Sequence, residues 1–223
     1  MPRVSKSIQQ TAEAERVAEV FRRLCAAQPD PRTELAYASP YELLVAVVLS
    51  AQATDVSVNK ATTALYQVAA TPEAMVELGV EGLTPFIASI GLFRNKAKNV
   101  IALSKILLED YGGQVPITRA ALEALPGVGR KTASVVLNEL NIEPAIAVDT
   151  HVFRVAHRLN LADASTPDKV EAQLMAKVAE PYLTRAHHWM ILLGRYVCVA
   201  RKPKCETCPI SDLCPSRELF LGT

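Results

Sequence analysis

The stretch LPGVGRKTA, residues 125–133, decides the fold, because it places two glycines two positions apart in a tight turn. A short helix is predicted from Thr118 to this turn and an apolar helix from the turn to Leu140, a pattern typical of a helix-hairpin-helix. Gly127 and Gly129 allow close approach of a partner, and the amides that begin the second helix suit a phosphate of a nucleic acid backbone. The alternative is a plain helix-turn-helix corner whose glycines serve only the backbone angles.

Two cations follow the turn, at the start of the second helix. Arg130 and Lys131 lie near the positive end of the helix dipole, where an ammonium group is unfavourable. One interpretation is that both side chains bind phosphate groups. The other is that Lys131 is a nucleophile when its amine is neutral, which requires a base nearby.

An acid that could serve as this base lies in the sequence VDTH, residues 148–151. Asp149 stands eighteen residues after Lys131, directly before a helix predicted to run towards Leu159. This position is typical of a helix N-cap, and an N-cap carboxylate is held in place by backbone amides. The same side chain could therefore cap the helix and also orient or deprotonate Lys131.

Four of the five cysteines are crowded near the C-terminus. Cys198, Cys205, Cys208 and Cys214 fall within seventeen residues, with six, two and five residues between them. Disulfides or buried apolar thiols are one interpretation, and a structural zinc site is another. Zinc sites usually bring two pairs with two-residue spacing, whereas only Cys205 and Cys208 have it here, so the spacing favours an iron–sulfur centre. Cys25 is interpreted as a packed core thiol.

The rest of the chain predicts an all-α protein with some ten helices. Ser39 is followed by a proline and, three residues on, by Glu42, which is a capping box ahead of the apolar run 43–49. Other Thr-Pro pairs predict helix starts at Thr71, Thr84 and Thr166. No stretch alternates with the two-residue period of a strand.

Composition limits the partners and the compartment. The apolar run 43–49 is too short to span a bilayer and the N-terminus has no signal pattern, so a reducing cytosol is expected. The net charge is only +1, so affinity for a polyanion requires a local patch. Arg201, Lys202 and Lys204, between the first two clustered cysteines, predict such a patch, with a solvated basic loop as the alternative.

Together the hairpin, the VDTH segment, the four-cysteine signature and the sequence LSAQATD, residues 49–55, resemble the endonuclease III family. These are base-excision glycosylases of the helix-hairpin-helix superfamily, and the resemblance runs from about Glu15 to the last cysteine. It implies a two-lobed fold with DNA between the lobes. The expected domains are a six-helix domain, roughly 33–143, and a discontinuous domain of 1–32 and 144–223 with a [4Fe–4S] cluster. The first ten or so residues are expected to be loosely ordered.

The resemblance also implies the chemistry. Lys131 would attack C1′ of a flipped nucleotide with Asp149 as its acidic partner, and a Schiff base followed by elimination would cut the strand 3′ to the lesion. Oxidised pyrimidines in duplex DNA would be the substrates of a monomeric bacterial enzyme in the cytoplasm, near the nucleoid. Phe93 and Arg94 depart from the Tyr and Asn often found in the family, which leaves the preferred lesion open.

Three further residues receive roles from the resemblance. Gln52 would fill the space of the extruded nucleotide, Leu92 would insert into the base stack, and Asp55 would be an active-site carboxylate. Locally, Gln52 is a polar residue at a helix end, Leu92 an apolar loop anchor and Asp55 a helix cap.

Two rival functions remain open at this point. A mismatch glycosylase that stops at the abasic site would carry an acid in the helix before Gln52 and no lysine in the hairpin, whereas residues 43–49 contain no acid and Lys131 is present. A non-catalytic DNA-binding module would have no need of Lys131 and Asp149 as a pair.

Overall fold

The computed structural model describes residues 6–221, with side chains from residue 10 onward, and this part of the chain contains no strand. The all-α prediction is confirmed, as is the expected number of helices. They are α1 (Lys6–Ala27), α2 (Pro40–Ser50), α3 (Asp55–Leu65), α4 (Pro72–Ile87), α5 (Phe93–Tyr111), α6 (Arg119–Glu123), α7 (Arg130–Glu139), α8 (Thr150–Arg158), α9 (Pro167–Lys177) and α10 (Glu180–Tyr196). Three short 3-10 turns follow, at Cys205–Thr207, Ser211–Leu213 and Arg217–Leu219.

The chain divides into two compact units. One consists of Thr33–Glu143 and holds α2 to α7, and the other combines Met1–Arg32 with Pro144–Thr223. Within the described residues no helix is long and apolar enough to cross a membrane.

Helix α2 is the centre of the Thr33–Glu143 unit. Ser39 Oγ accepts a hydrogen bond from the Glu42 amide at 3.1 Å, and Glu42 Oε2 accepts one from the Ala38 amide at 2.6 Å. The capping box is therefore present, although the carboxylate reaches one residue further back than the motif predicts. Every residue from Tyr41 to Leu49 is buried, because α3, α5 and α7 all pack against this helix.

The helix predicted to begin at Thr84 does not begin there. Thr84 and Pro85 lie inside α4, where Thr84 Oγ1 donates to the carbonyl of Val80 at 2.7 Å. The break in this region is at Gly79, whose φ of 67° and ψ of 174° interrupt the helix. Pro85 lies six residues after this break and inside the helix, so a Thr-Pro pair does not by itself locate a helix start.

The second unit is built on the packing of α8 against α10. A Cβ added to Gly194 of α10 would lie 2.8 Å from Cβ of His151 on α8, so the two helices meet where only glycine fits. Trp189 is buried, and its indole Nε1 donates to the carbonyl of Gln28 at 2.8 Å. This core positions the start of α8 and the cysteine segment that follows α10.

Candidate active site

The two hairpin glycines differ in what the fold requires of them. Gly127 has a φ of 80°, and a Cβ there would lie 2.9 Å from Nδ2 of Asn99. Gly129, the residue before α7, has a φ of −95°, which any residue can adopt, and a Cβ there would meet no atom within 4 Å. The fold therefore explains Gly127, whereas the open space at Gly129 leaves room for a partner against the backbone.

Lys131 is the second residue of α7. Its side chain and that of Arg130 are exposed, while Ala133, Val136 and Leu137 bury the other face of the helix in the core. The first amides of a helix lack acceptors within it, so this end of α7 presents donors as well as two cations. An amine here is accessible to a substrate on the hairpin surface.

Asp149 is the N-cap of α8, as predicted. Its Oδ1 accepts hydrogen bonds from the amides of His151 and Val152, both at 2.8 Å. The side chain is half-buried, and no described residue donates to its Oδ2. Capping thus fixes the carboxylate with one oxygen and leaves the other for a second task. Lys131 and Asp149 belong to different units.

The turns that carry Gln52 and Leu92 lie side by side in the first unit. Both residues are exposed and left-handed, with φ of 57° and 60°, and Leu92 is 58% exposed. A Cβ on Gly91 would lie 3.8 Å from the carbonyl oxygen of Gln52. Leu92 is therefore no buried anchor, so that local interpretation was wrong.

Asp55 is not a helix cap. It is the first residue of α3, and the cap is Thr54, whose Oγ1 accepts from the Ser57 amide at 3.2 Å. The local interpretation of Asp55 as a cap was therefore wrong. Its carboxylate is partly buried at the helix start, close in sequence to Gln52.

The four clustered cysteines have the surroundings that a thiolate-bound group requires. Burial, and after it the charges of the neighbouring thiols, raises the pKa of Cys208 and of Cys214. Arg158 Nη1 donates to Cys198 Sγ at 3.3 Å and can offset thiolate charge. In the described part of the chain no three metal-binding side chains are close enough to enclose a single ion. The residues fit a larger iron–sulfur group held by all four sulfurs.

The basic loop between the first two of these cysteines has exposed side chains, and its backbone is held by hydrogen bonds from Arg158. Arg201, Lys202 and Lys204 are all exposed. Arg158 donates to the carbonyls of Val199 and Ala200, at 2.7 and 2.9 Å. The backbone of the loop is thereby held while its three cations remain available to solvent.

Two residues that matter for these sites were missed in the sequence. Arg158 organises the cysteine loop and stacks over the Phe220 ring at 4.4 Å, a contact between distant segments that no local pattern reveals. Lys96 is buried and contacts the Gln52 turn. A signal for Lys96 did exist, because it occupies the apolar face of α5 four residues before Val100 and eleven before Leu107.

The fold and the hairpin define a helix-hairpin-helix base-excision protein. Residues 45–180 match the HhH-GPD superfamily of base excision DNA repair proteins, and residues 198–214 match the iron–sulfur binding domain of endonuclease III. Endonuclease III of Escherichia coli (strain K12) is 56% identical over 200 residues, which cover 90% of this chain and 95% of that protein.

Two solved structures agree. A non-covalent endonuclease III–DNA complex has a TM-score of 0.86 at 42% identity, covering 92% of this chain and 97% of that one. A trapped endonuclease III–DNA covalent intermediate has a TM-score of 0.84 at 41% identity, covering 97% and 99%. The chain belongs to the endonuclease III family, and it is a bifunctional DNA glycosylase and abasic-site lyase that holds an iron–sulfur cluster.

Proposed function

We propose that Lys131 is the nucleophile of this enzyme and that oxidised pyrimidines in duplex DNA are its substrates. The observation that carries the proposal is the exposed amine of Lys131 on the first turn of α7, beside the open backbone at Gly129. An amine at this position also accounts for a covalent enzyme–DNA intermediate of the kind trapped in the related structure. Water as the nucleophile would leave an intact abasic site and no such intermediate.

The chemistry proceeds in two stages. The neutral amine of Lys131 attacks C1′ of the flipped nucleotide, the bond from C1′ to the base breaks, and the base leaves with the electron pair and takes up a proton. The nitrogen loses a proton, the C1′–O4′ bond breaks as O4′ takes up a proton, and the opened sugar carries an iminium at C1′. The iminium acidifies the C2′ hydrogens, and removal of one of them expels the 3′ phosphate and cuts the strand 3′ to the lesion.

Asp149 is proposed to accept a proton from Lys131 as a general base. A general base must be held in place and must have an oxygen available, and both conditions follow from the use of Oδ1 alone in the α8 cap. The capping role and the catalytic role are therefore compatible in one carboxylate. Asp55 is proposed as a further acidic group near the flipped nucleotide.

The target nucleotide must leave the stack before Lys131 can reach C1′. Leu92 is proposed to insert into the stack and Gln52 to occupy the vacated space, because both are exposed at the tips of adjacent turns. Leu92 is 58% exposed, so its apolar side chain is accessible for insertion between bases.

Backbone phosphates are proposed to bind at two surfaces, one in each unit. The first is the hairpin, with the amides at Gly127 and Gly129 and the side chain of Arg130. The second is the basic loop, which carries Arg201, Lys202 and Lys204. Local charge at these surfaces compensates for a net charge of only +1.

The iron–sulfur cluster is proposed to be [4Fe–4S], bound by Cys198, Cys205, Cys208 and Cys214. When bound, it supplies four metal–thiolate bonds that fold the segment, and no step at C1′ requires it. The discontinuous unit is accordingly proposed as a cluster domain, and the Thr33–Glu143 unit as the domain that carries the hairpin.

Product analysis tests the two-stage function. The enzyme is incubated with a duplex that contains thymine glycol, and the strands are separated without alkali treatment. The expected product is a strand cut 3′ to the lesion and bearing a sugar remnant. An intact strand that breaks only after alkali would contradict the lyase stage and support the mismatch-glycosylase type of mechanism.

The enzyme is also proposed to act as a monomer on DNA in the bacterial cytoplasm, associated with the nucleoid. All the groups assigned here come from one chain, so no second copy is needed to complete the site. Sedimentation of the cluster-loaded protein, alone and with a lesion duplex, is expected to show one chain per duplex. A dimer that persists at nanomolar concentration would contradict this.

A further inference from the structure

A buried lysine connects the two turns that carry Gln52 and Leu92. Lys96 lies in the first turn of α5 and is 5% exposed. Its Nζ donates to the carbonyl oxygens of Leu49, at 2.9 Å, and Ala51, at 2.6 Å. Its backbone amide donates to the carbonyl of Leu92 at 3.1 Å. One residue thus contacts the end of α2 with its side chain and the Leu92 turn with its backbone.

This position is energetically unfavourable for a cation. Burial lowers the pKa of Lys96, and the start of α5 is the end of a helix that disfavours positive charge. Among the described residues no carboxylate pairs with the ammonium group, which is satisfied only by carbonyls at the C-terminal end of α2. An apolar side chain would fill the same space but would leave the carbonyls of Leu49 and Ala51 without these donors, so packing alone does not account for lysine.

The two turns require something to hold them. Gln52 and Leu92 are both left-handed residues with a Cβ, and such conformations persist only when the surrounding structure determines them. The Lys96 side chain fixes Ala51, directly before Gln52, while its backbone amide makes the first helical hydrogen bond of α5 to the N-cap residue Leu92. Since the backbones of the two turns are adjacent, a shift in either turn would move both exposed side chains.

We infer that Lys96 is a positioning residue that sets the geometry of Gln52 and Leu92 before DNA binds. The inference rests on the proposed roles of Gln52 and Leu92 in nucleotide extrusion. In a preorganised pair, the ordering of both turns does not have to occur while the nucleotide leaves the stack. Lys96 acts through these turns and touches no reacting atom.

The test compares Lys96→Met with Lys98→Met. Methionine keeps the length of the side chain and removes the ammonium group, and Lys98 is exposed on the same helix, so its variant controls for the loss of one positive charge. Single-turnover excision is measured on thymine glycol in a fully paired duplex and in a short unpaired bubble. Fluorescence of 2-aminopurine beside the lesion reports unstacking.

Lys96→Met is expected to slow excision from the paired duplex about 10- to 100-fold and excision from the bubble less than threefold. The rise of 2-aminopurine fluorescence in the paired duplex is expected to slow by the same factor as excision from it. Lys98→Met is expected to stay within twofold on both substrates. Equal losses of Lys96→Met on both substrates, or wild-type rates on both, would overturn the inference. If Lys96→Met is unfolded at the assay temperature, Lys96→Arg, which keeps a donor but displaces it, must show the same contrast between substrates at smaller amplitude.

Gln52→Ala and Leu92→Ala separate this inference from the proposed function. Each is expected to slow excision from the paired duplex, and Lys96→Met combined with either is expected to cost less than the product of the single effects. If both alanine variants match the wild type, the proposed extrusion roles fail and the inference falls with them. If they are impaired and Lys96→Met is not, the inference alone fails.

Discussion

The two hairpin glycines give a prediction that separates folding from DNA binding. In Gly127→Ala the added Cβ would stand 2.9 Å from Asn99 Nδ2 at a φ of 80°. A left-handed alanine costs about 1–2 kcal/mol, and overpacking adds roughly 1–3 kcal/mol. The free energy of unfolding is therefore expected to fall by about 2–5 kcal/mol, with a melting temperature lower by roughly 4–20 °C.

Gly129→Ala is the matched variant, with the opposite expectation. Its Cβ meets nothing within 4 Å and its φ of −95° is ordinary, so the free energy of unfolding should change by less than about 0.5 kcal/mol. The methyl group would instead occupy the space that a phosphate needs at the amides of α7. Loss of one charge-assisted hydrogen bond of about 1.5–3 kcal/mol weakens binding roughly 10- to 100-fold.

Thermal unfolding by circular dichroism measures the first quantity, and fluorescence anisotropy with a duplex containing a tetrahydrofuran abasic analogue measures the second. Binding is recorded at several salt concentrations, because loss of a phosphate contact through an amide should lower affinity with little change in the salt slope. Wild-type affinity of Gly129→Ala would refute the close approach of DNA to this backbone. Wild-type stability of Gly127→Ala would refute the steric argument.

Three further outcomes are expected. Asp149→Asn should keep the α8 cap and the stability to within about 0.5 kcal/mol while lowering single-turnover excision roughly 100-fold, whereas a variant as active as wild type would leave the carboxylate a cap only. Gly194→Ala should lower the melting temperature, since its Cβ would stand 2.8 Å from that of His151, and an unchanged midpoint would contradict the close α8–α10 packing. The hydrogen bond from Arg23 lowers the pKa of Asp212, so this tie between α1 and the cysteine segment should be present above the usual aspartate range and lost as pH falls through the depressed value. Hydrogen exchange of the segment should then rise at acid pH in the wild type, and an Arg23→Gln variant with the same exchange at neutral pH would contradict the tie.

Local sequence patterns predicted those features that depend on short-range chemistry. Ser39 and Glu42 located the start of α2, and Asp149 caps α8 as expected. Each signal is a side chain that satisfies backbone groups within a few residues, so the relevant partner is written in the adjacent sequence.

Features that depend on distant contacts were not predicted. The α4 region is broken at Gly79 and not at the Thr84 pair. This break was not predicted, because the sequence does not distinguish a glycine in a left-handed conformation from one inside a helix. The support of the cysteine loop by Arg158 and of the Gln52 turn by Lys96 spans forty or more residues. The hairpin and the cysteine cluster were visible in the sequence, whereas the groups that hold them in position were not.

Covalent capture tests the central claim most directly. Sodium borohydride added to the cluster-loaded enzyme and a thymine glycol duplex should reduce the Schiff base and give a stable protein–DNA adduct, with the DNA remnant on the Lys131 peptide in mass spectrometry. Lys131→Gln should bind the same duplex and give no adduct. An adduct of undiminished yield in Lys131→Gln, or none in the wild type on lesion and abasic duplexes alike, would contradict Lys131 as the nucleophile.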